Sequence, residues 1–81
     1  MRKVHNLKTH PEYFHEVFMG HKTFEVRKND RDFKVGDILI LEEWNPETSS
    51  YTGKSLARRV DYILNGGDFG ISEGYIIMSI S

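Results

Sequence analysis

A chain of 81 residues is long enough for one small domain, and we take residues 1–81 as a single unit. With 38% apolar and 28% charged residues, its composition is typical of a folded domain rather than a disordered segment. The net charge of −1 excludes a strongly basic, histone-like mode of binding, and the absence of cysteine excludes disulfides and thiolate zinc sites.

The sequence pattern favours a cytoplasmic protein without a membrane partner. The longest apolar run, Ile38–Leu41, is far shorter than the ~20 residues of a membrane span. No apolar stretch follows Arg2 and Lys3, so no secretion signal is expected.

The first predicted elements are a short strand and a helix. The strand covers His5–Leu7, with Val4 and Leu7 as its apolar members. Thr9 or His10 can cap the following helix, and Pro11 suits its first turn. An apolar stripe at three- and four-residue spacing predicts a helix of about ten residues that ends at Gly20. Its members are Tyr13, Phe14, Val17 and Phe18.

After Gly20 the spacing of the apolar residues changes to a period of two, which is typical of a strand. Thr23–Arg27 reads as a strand with Phe24 and Val26 facing the core and Glu25 and Arg27 facing outward. Further strands are predicted at 38–44, from Tyr51 to Leu64 with a break at Gly53, and at 75–80. A hairpin tip at 45–50 and a glycine-rich loop at 65–70 separate them.

One helix and four or five short strands indicate an α+β, mainly β domain. Closing the strands into a small barrel, with the helix flanking an opening, would leave no exposed edge. Four phenylalanines are predicted to lie in the core: Phe14, Phe18, Phe24 and Phe33. Packing is also favoured for Tyr62 and Tyr75, whereas Trp44 can be either buried or a stacking platform for a base.

The most informative segment places Lys22 at a helix exit and Glu25 and Arg27 two residues apart on a strand. A planar guanidinium fork, a carboxylate and a mobile cation suit a ligand with a polar edge, such as a nucleobase. The structural alternative is a surface ion pair between Glu25 and Arg27, worth about 0–1 kcal/mol.

Other patterns carry weaker signals. The four histidines, at positions 5, 10, 15 and 21, share no helical face, so no metal site and no cofactor are predicted. His5 and His21 flank the proposed cleft in sequence. The basic loop with Lys28 and Arg31 can be an ordinary turn or a rim for phosphate, and the glycine-rich loop lacks a phosphate-binding motif.

The segment Gly20-x-Lys22-x-x-Glu25-x-Arg27 resembles the G-x-K-x-x-E-x-R signature of the ASCH domain, a branch of the PUA-like superfamily. Segments 5–14, 25–37 and 73–78 are similar to a short stand-alone ASCH subgroup described only as a domain of unknown function. The resemblance therefore covers nearly the whole chain.

The resemblance implies a PUA-like barrel with a cleft between barrel and helix, lined by Lys22, Glu25 and Arg27. It also implies that the cleft binds RNA or a nucleotide-like ligand. Lys8, Arg31 and Trp44 can extend this binding surface. One ASCH branch hydrolyses acylated cytidine nucleosides with a lysine and a threonine. Lys22 matches that lysine, but Glu25 stands at the threonine position. A catalytic role for Lys22 and Glu25 is thus the alternative, and a protein-interaction accessory module is a third possibility.

Overall fold

The computed structural model describes residues 2–81. Within this range the chain forms one helix and five strands, in agreement with the predicted mainly β, α+β architecture. They are β1 (Val4–Thr9), α1 (Pro11–Phe18), β2 (Phe24–Lys28), β3 (Ile38–Asn45), β4 (Ser50–Asn65) and β5 (Tyr75–Ile80). No helix in this part of the chain is long and apolar enough to cross a membrane.

Helix α1 begins after His10, as the sequence predicts, but its eight residues make it shorter than the predicted length of about ten. Pro11 occupies the first turn after His10, whose extended backbone forms the N-cap without a side-chain hydrogen bond. Thr9, the other predicted cap, does not cap the helix, because its hydroxyl donates to the carbonyl oxygen of Leu7. After the last turn Gly20 adopts φ +79°, a left-handed conformation that favours glycine and ends the helix.

The five strands form one mixed sheet in the order β1-β3-β4-β5-β2. Strand β1 runs parallel to β3, and the other neighbouring pairs are antiparallel. Strand β4 belongs to both halves of the sheet, β1-β3-β4 and β4-β5-β2. Its first part pairs with β3, and its second part, from Val60, pairs with β5. Strands β1 and β2 are therefore the two edges of the sheet.

The predicted break at Gly53 is wrong, because β4 continues through it. Gly53 has φ +93°, and the pairing with β3 shifts register between Glu42 and Trp44. A bulge of this kind bends a strand and increases its twist without ending it.

The core lies between one face of the sheet and α1. It is an apolar cluster made of Leu7, Phe14, Val17, Phe33, Leu39, Leu41, Val60, Ile76, Met78 and Ile80. The inward face of β1 carries His5, Leu7 and Thr9. Of the two apolar members predicted for this strand, Leu7 is buried and Val4 is exposed.

Several aromatic predictions are wrong in the same direction. Phe14 and Phe33 are buried as expected, but Phe18 and Phe24 are exposed. Tyr62 and Tyr75 are exposed as well. In β2 the burial alternates in the opposite phase to the prediction, since Glu25 is buried while Phe24 and Val26 face solvent.

A buried carboxylate anchors the start of the sheet. Asp37 accepts hydrogen bonds from His5 Nε2 at 2.8 Å and from the backbone N–H groups of Lys3 and Lys34, both at 3.0 Å. Burial on its own would raise the pKa of Asp37, but these hydrogen bonds together lower it below its ordinary value. His5 also packs on Phe33, so it is a structural residue and does not flank the cleft.

Candidate functional site

A cavity of about 500 Å³ opens at the free edge of β2, in the seam between β2, the end of β1 and α1. We call it the edge cavity. Its walls come from the β1–α1 corner, from the loop after α1 and from β2. The lining residues are Lys8, Thr9, His10, Tyr13, Lys22, Phe24, Glu25, Val26 and Arg27.

Glu25 is the central acid of this site. Although it belongs to an edge strand, only 4% of its surface is exposed, because its side chain points to the inner face of the sheet. Its two carboxylate oxygens have different partners: Oε1 accepts from Lys22 Nζ and Oε2 from Arg27 Nε, both at 3.2 Å. A buried carboxylate thus holds two cations at the wall of the cavity.

Lys22 lies at the exit of α1, as the sequence predicts. The turn after the helix positions it through two backbone hydrogen bonds to Glu16, one from His21 and one from Lys22 itself. Besides Glu25, its ammonium group donates to the carbonyl oxygen of Phe24 at 2.8 Å. One of its three N–H groups is left to meet a ligand.

Two arginine side chains, one on β2 and one in the loop after it, connect this part of the chain to β1. Arg27 Nη2 donates to the carbonyl oxygen of Lys8 at 3.0 Å, and Arg31 Nη1 donates to that of Asn6 at 2.8 Å. Both carbonyl groups lie on the free edge of β1, so the guanidinium groups bridge the seam where no strand pairing exists. Arg27 Nη1 has no hydrogen-bond partner among residues 2–81.

Aromatic rings flank this cluster of charges. Lys22 Nζ lies 4.9 Å from the ring centre of Phe24 and 5.9 Å from that of Tyr13, and both rings border the cavity. On the β1 side, Lys8 Nζ lies 4.5 Å from the ring centre of Trp44. His10 stacks on the same indole ring at 6.2 Å.

The structure therefore brings most of the predicted site residues together. Lys22, Glu25 and Arg27 converge on one hollow, and Lys8 lines its rim. Arg31 and Trp44 lie outside the lining, with Arg31 on the seam and Trp44 behind Lys8 and His10. His21 is also outside, where its Nδ1 is 2.8 Å from a carboxylate oxygen of Glu16.

Sequence reasoning missed the aromatic walls and the β1–α1 corner. Tyr13 and Phe24 were counted with the apolar stripes, and Thr9 and His10 only as helix caps. Their positions in the sequence could have indicated this. All four lie within a few residues of a predicted change of chain direction, near Lys8 or near Lys22.

Chemically, the edge cavity can bind an anion or a polar ring edge. Its two central cations exceed its one carboxylate, so an oxygen-rich ligand would complete the charge balance. No group of three or more possible metal ligands occurs within residues 2–81. A second hollow of about 570 Å³, between the end of α1 and the β3–β4 hairpin, is lined by Phe14, Phe18 and Lys54 among others.

The fold and the cavity define a class: a small α+β domain, mainly β, with a five-stranded mixed sheet and a charged cavity at its edge. More narrowly, the chain belongs to the family described as a domain of unknown function, DUF3850, whose model matches residues 4–80. It is 36% identical over 78 residues to an uncharacterized 12.9 kDa protein in the GpA 3′ region of Escherichia phage P2. That alignment covers 96% of this chain and 68% of the phage protein.

Proposed function

We propose that this protein binds RNA or a nucleotide-like ligand in the edge cavity. The observation that carries the proposal is the pair of cations, Lys22 and Arg27, held on opposite oxygens of the buried Glu25 at the cavity wall. Cations fixed in this way are already ordered before a ligand arrives, which reduces the entropy lost on binding.

Each member of the cluster has a definite role in this proposal. Lys22 and Arg27 meet phosphate or carbonyl oxygens with their remaining N–H groups. Glu25 orients both cations and can accept a hydrogen bond from an exocyclic amine of a base. Tyr13 and Phe24 provide ring surfaces for stacking, and Lys8 adds a further cation at the rim.

We also propose that the domain is a PUA-like barrel of the ASCH type. Two features support this: the signature residues Lys22, Glu25 and Arg27 line one hollow beside the helix, and side chains span the β1–β2 seam. Arg31 then serves the barrel seam rather than the ligand. Trp44 supports the rim through Lys8 and His10.

Hydrolysis of acylated cytidine-type nucleosides is the second candidate function. It is favoured by Thr9, a threonine that borders the same cavity as Lys22 and Glu25. Two contacts weigh against it: the Thr9 hydroxyl donates to a backbone carbonyl, and Lys22 Nζ donates to both Glu25 and Phe24. Neither group is arranged as a nucleophile beside a free base.

Binding is tested by native mass spectrometry of freshly purified protein, followed by calorimetric titration with the four ribonucleoside monophosphates. Lys22→Ala should weaken binding about tenfold or more, since it removes a charge-assisted contact worth ~1.5–3 kcal/mol. Arg27→Lys should also weaken binding, because lysine keeps the charge but lacks the planar N–H fork of arginine. Lys34→Ala is the matched control, because Lys34 pairs with Asp32 at the surface and does not line the cavity.

Three outcomes separate the candidates. Equal affinities for all variants, or no retained or added ligand, would contradict the proposal and favour a protein-interaction module. Deacylation of an acylated cytidine that disappears in Lys22→Ala would establish the hydrolase instead. Specific loss of nucleotide affinity without any turnover supports the binding function.

A further inference from the structure

The outer side of the β2-β5-β4 half of the sheet is an apolar surface that no element among residues 2–81 covers. In the strand pairing, Phe24 and Tyr62 both face Ser79, and Val26 and Leu64 both face Ile77. Lys28 faces Tyr75 in the next row. We call this surface the outer face; its apolar members are Phe24, Val26, Tyr62, Leu64, Tyr75 and Ile77.

Three of its aromatic rings are substantially exposed: Tyr62 by 63%, Phe24 by 44% and Tyr75 by 43%. Burial of such rings is normally favourable, so their exposure on one face marks an interaction surface rather than a scatter of single apolar residues. Phe24 and Val26 also line the edge cavity, so the outer face continues directly from the candidate site around the edge of β2.

Phe24 and Tyr62 lie in one row of the outer face, and we call the space over Ser79 between them the Ser79 slot. Phe24 and Tyr62 stand on strands separated by β5, which puts their backbones roughly 10 Å apart. The residue between them is Ser79, the smallest side chain in the row. The serine at the centre of the row leaves no bulky side chain between the two aromatic residues.

Positive charge accompanies the aromatic rows. Lys22 Nζ lies over the Phe24 ring at one end, and Lys28 stands beside Tyr75 at the other. These two rows are four residues apart along β2, or roughly 13 Å. Lys28 forms no salt bridge with the residues that the structure describes. Aromatic rings with cations beside them are the arrangement that binds the bases and phosphates of a single strand.

We infer that the outer face is a platform for single-stranded nucleic acid that continues from a nucleotide held in the edge cavity. One base enters the Ser79 slot between Phe24 and Tyr62, and a later one stacks on Tyr75 beside Lys28. This inference rests on the proposed function, because the strand is anchored by Lys22 and Arg27. It adds that the ligand is a strand of several nucleotides rather than a free mononucleotide.

The test compares a fluorescein-labelled oligouridylate of about ten nucleotides, by anisotropy, with uridine monophosphate, by calorimetry. Tyr62→Ser and Tyr75→Ser remove rings from the outer face. Ser79→Leu removes no ring but fills the slot with apolar bulk. Tyr51→Ser is the matched control, since Tyr51 is a half-exposed tyrosine on the β3–β4 hairpin, away from this face.

The oligonucleotide should bind wild-type protein more tightly than the mononucleotide. Tyr62→Ser and Ser79→Leu should weaken oligonucleotide binding about tenfold, the scale of one lost base stack, and leave mononucleotide binding unchanged. Tyr51→Ser should change neither, and thermal melts confirm that each variant is folded.

Other results overturn the inference in distinguishable ways. If Lys22→Ala weakens both ligands while Tyr62→Ser and Ser79→Leu weaken neither, the cavity binds nucleotides and the outer face does not. If neither ligand binds, the proposed function fails as well. If sedimentation shows a dimer that Tyr62→Ser dissociates, and Ser79→Leu leaves oligonucleotide binding intact, the face is an interface between copies of the chain.

Discussion

Replacing Glu25 with glutamine should destabilise the protein much more than an ordinary surface change. Glutamine keeps the shape and one acceptor but loses the charge that pairs with both Lys22 and Arg27. Its amide group would also point an N–H donor at one of these cations. Two buried charge-assisted contacts are therefore weakened by a single substitution.

The magnitude follows from the burial of the partners. Removing one member of a buried ion pair costs ~3–5 kcal/mol when the remaining charge stays out of water. Here the side chains of Lys22 and Arg27 are 18% and 25% exposed, so both cations can regain some hydration. We therefore expect a loss of about 2 kcal/mol in the free energy of unfolding.

Urea unfolding followed by the fluorescence of Trp44 measures this loss. With a slope of about 1 kcal/mol per molar urea for a domain of this size, the midpoint should fall by about 2 M. The matched control is Asp61→Asn, because Asp61 pairs with Arg59 at the same two-residue spacing on a strand. That pair is 60% and 35% exposed, and its loss should leave the midpoint nearly unchanged.

Equal midpoints for the Glu25 and Asp61 variants would refute the reasoning. In that case the Glu25–Arg27 contact is only the surface ion pair that the sequence left open as the structural alternative. A double-mutant cycle with Lys22→Met would locate the coupling: the two substitutions together should cost less than the sum of their separate effects.

Four more outcomes follow from the structure. The pKa of Asp37 is lowered in the folded protein, so the unfolded chain binds this proton more tightly than the folded chain does. The stability that Asp37 contributes is therefore present at pH 7 and is lost as the pH drops below about 4. In Asp37→Asn, urea midpoints should be lower at pH 7 and depend less on pH. Gly66→Ala should lower the free energy of unfolding by about 1–3 kcal/mol in a thermal melt, because a Cβ atom there would clash with the backbone carbonyl oxygen of Ser72. Nucleotide binding should change the fluorescence emission of Trp44, because the cavity residue Lys8 lies on its ring. With two or three phosphate contacts, the logarithm of the binding constant should fall only slowly with the logarithm of the salt concentration, with a slope of about −2.

Specific results would contradict the predictions for Asp37, for Gly66 and for the salt dependence. A pH profile of Asp37→Asn parallel to the wild type would remove Asp37 as the source of the acid transition. Wild-type stability in Gly66→Ala would show that the loop around Ser72 yields freely. A steep salt dependence would indicate many phosphate contacts instead of a few in one cavity.

The sequence predicted the elements well because their signals are local. Pro11 and Gly20 mark the two ends of a helix through their own backbone preferences, and the change from a period of 3.6 to one of 2 marks the entry into β2. The Gly20-x-Lys22-x-x-Glu25-x-Arg27 spacing also placed the three charged residues close together. These inferences needed no knowledge of the rest of the chain.

The orientation of β2 was not predictable in this way. Alternation shows that Glu25 and Phe24 face opposite sides, but it does not show which side is the core. Hydrophobicity suggested that Phe24 is buried, yet an edge strand beside a charged cavity reverses this choice. Glu25 can be buried only because Lys22 and Arg27 pair with both of its carboxylate oxygens.

Tyr62 was misplaced for the same reason. A tyrosine in a predicted strand is usually part of the core, and its exposure depends on the register of β4 against β5. That register shifts between Val60 and Tyr62, and a one-residue shift turns every following side chain to the other face. Long-range pairing of this kind leaves no trace in a short stretch of sequence.

The most direct test of the central claim is a two-dimensional amide NMR titration of isotope-labelled protein with a ribonucleoside monophosphate. We predict saturable shifts concentrated on Lys8, Tyr13, Lys22 and Arg27, around the edge cavity. An unchanged spectrum at saturating nucleotide, or shifts confined to the second hollow near Phe18 and Lys54, would contradict the account.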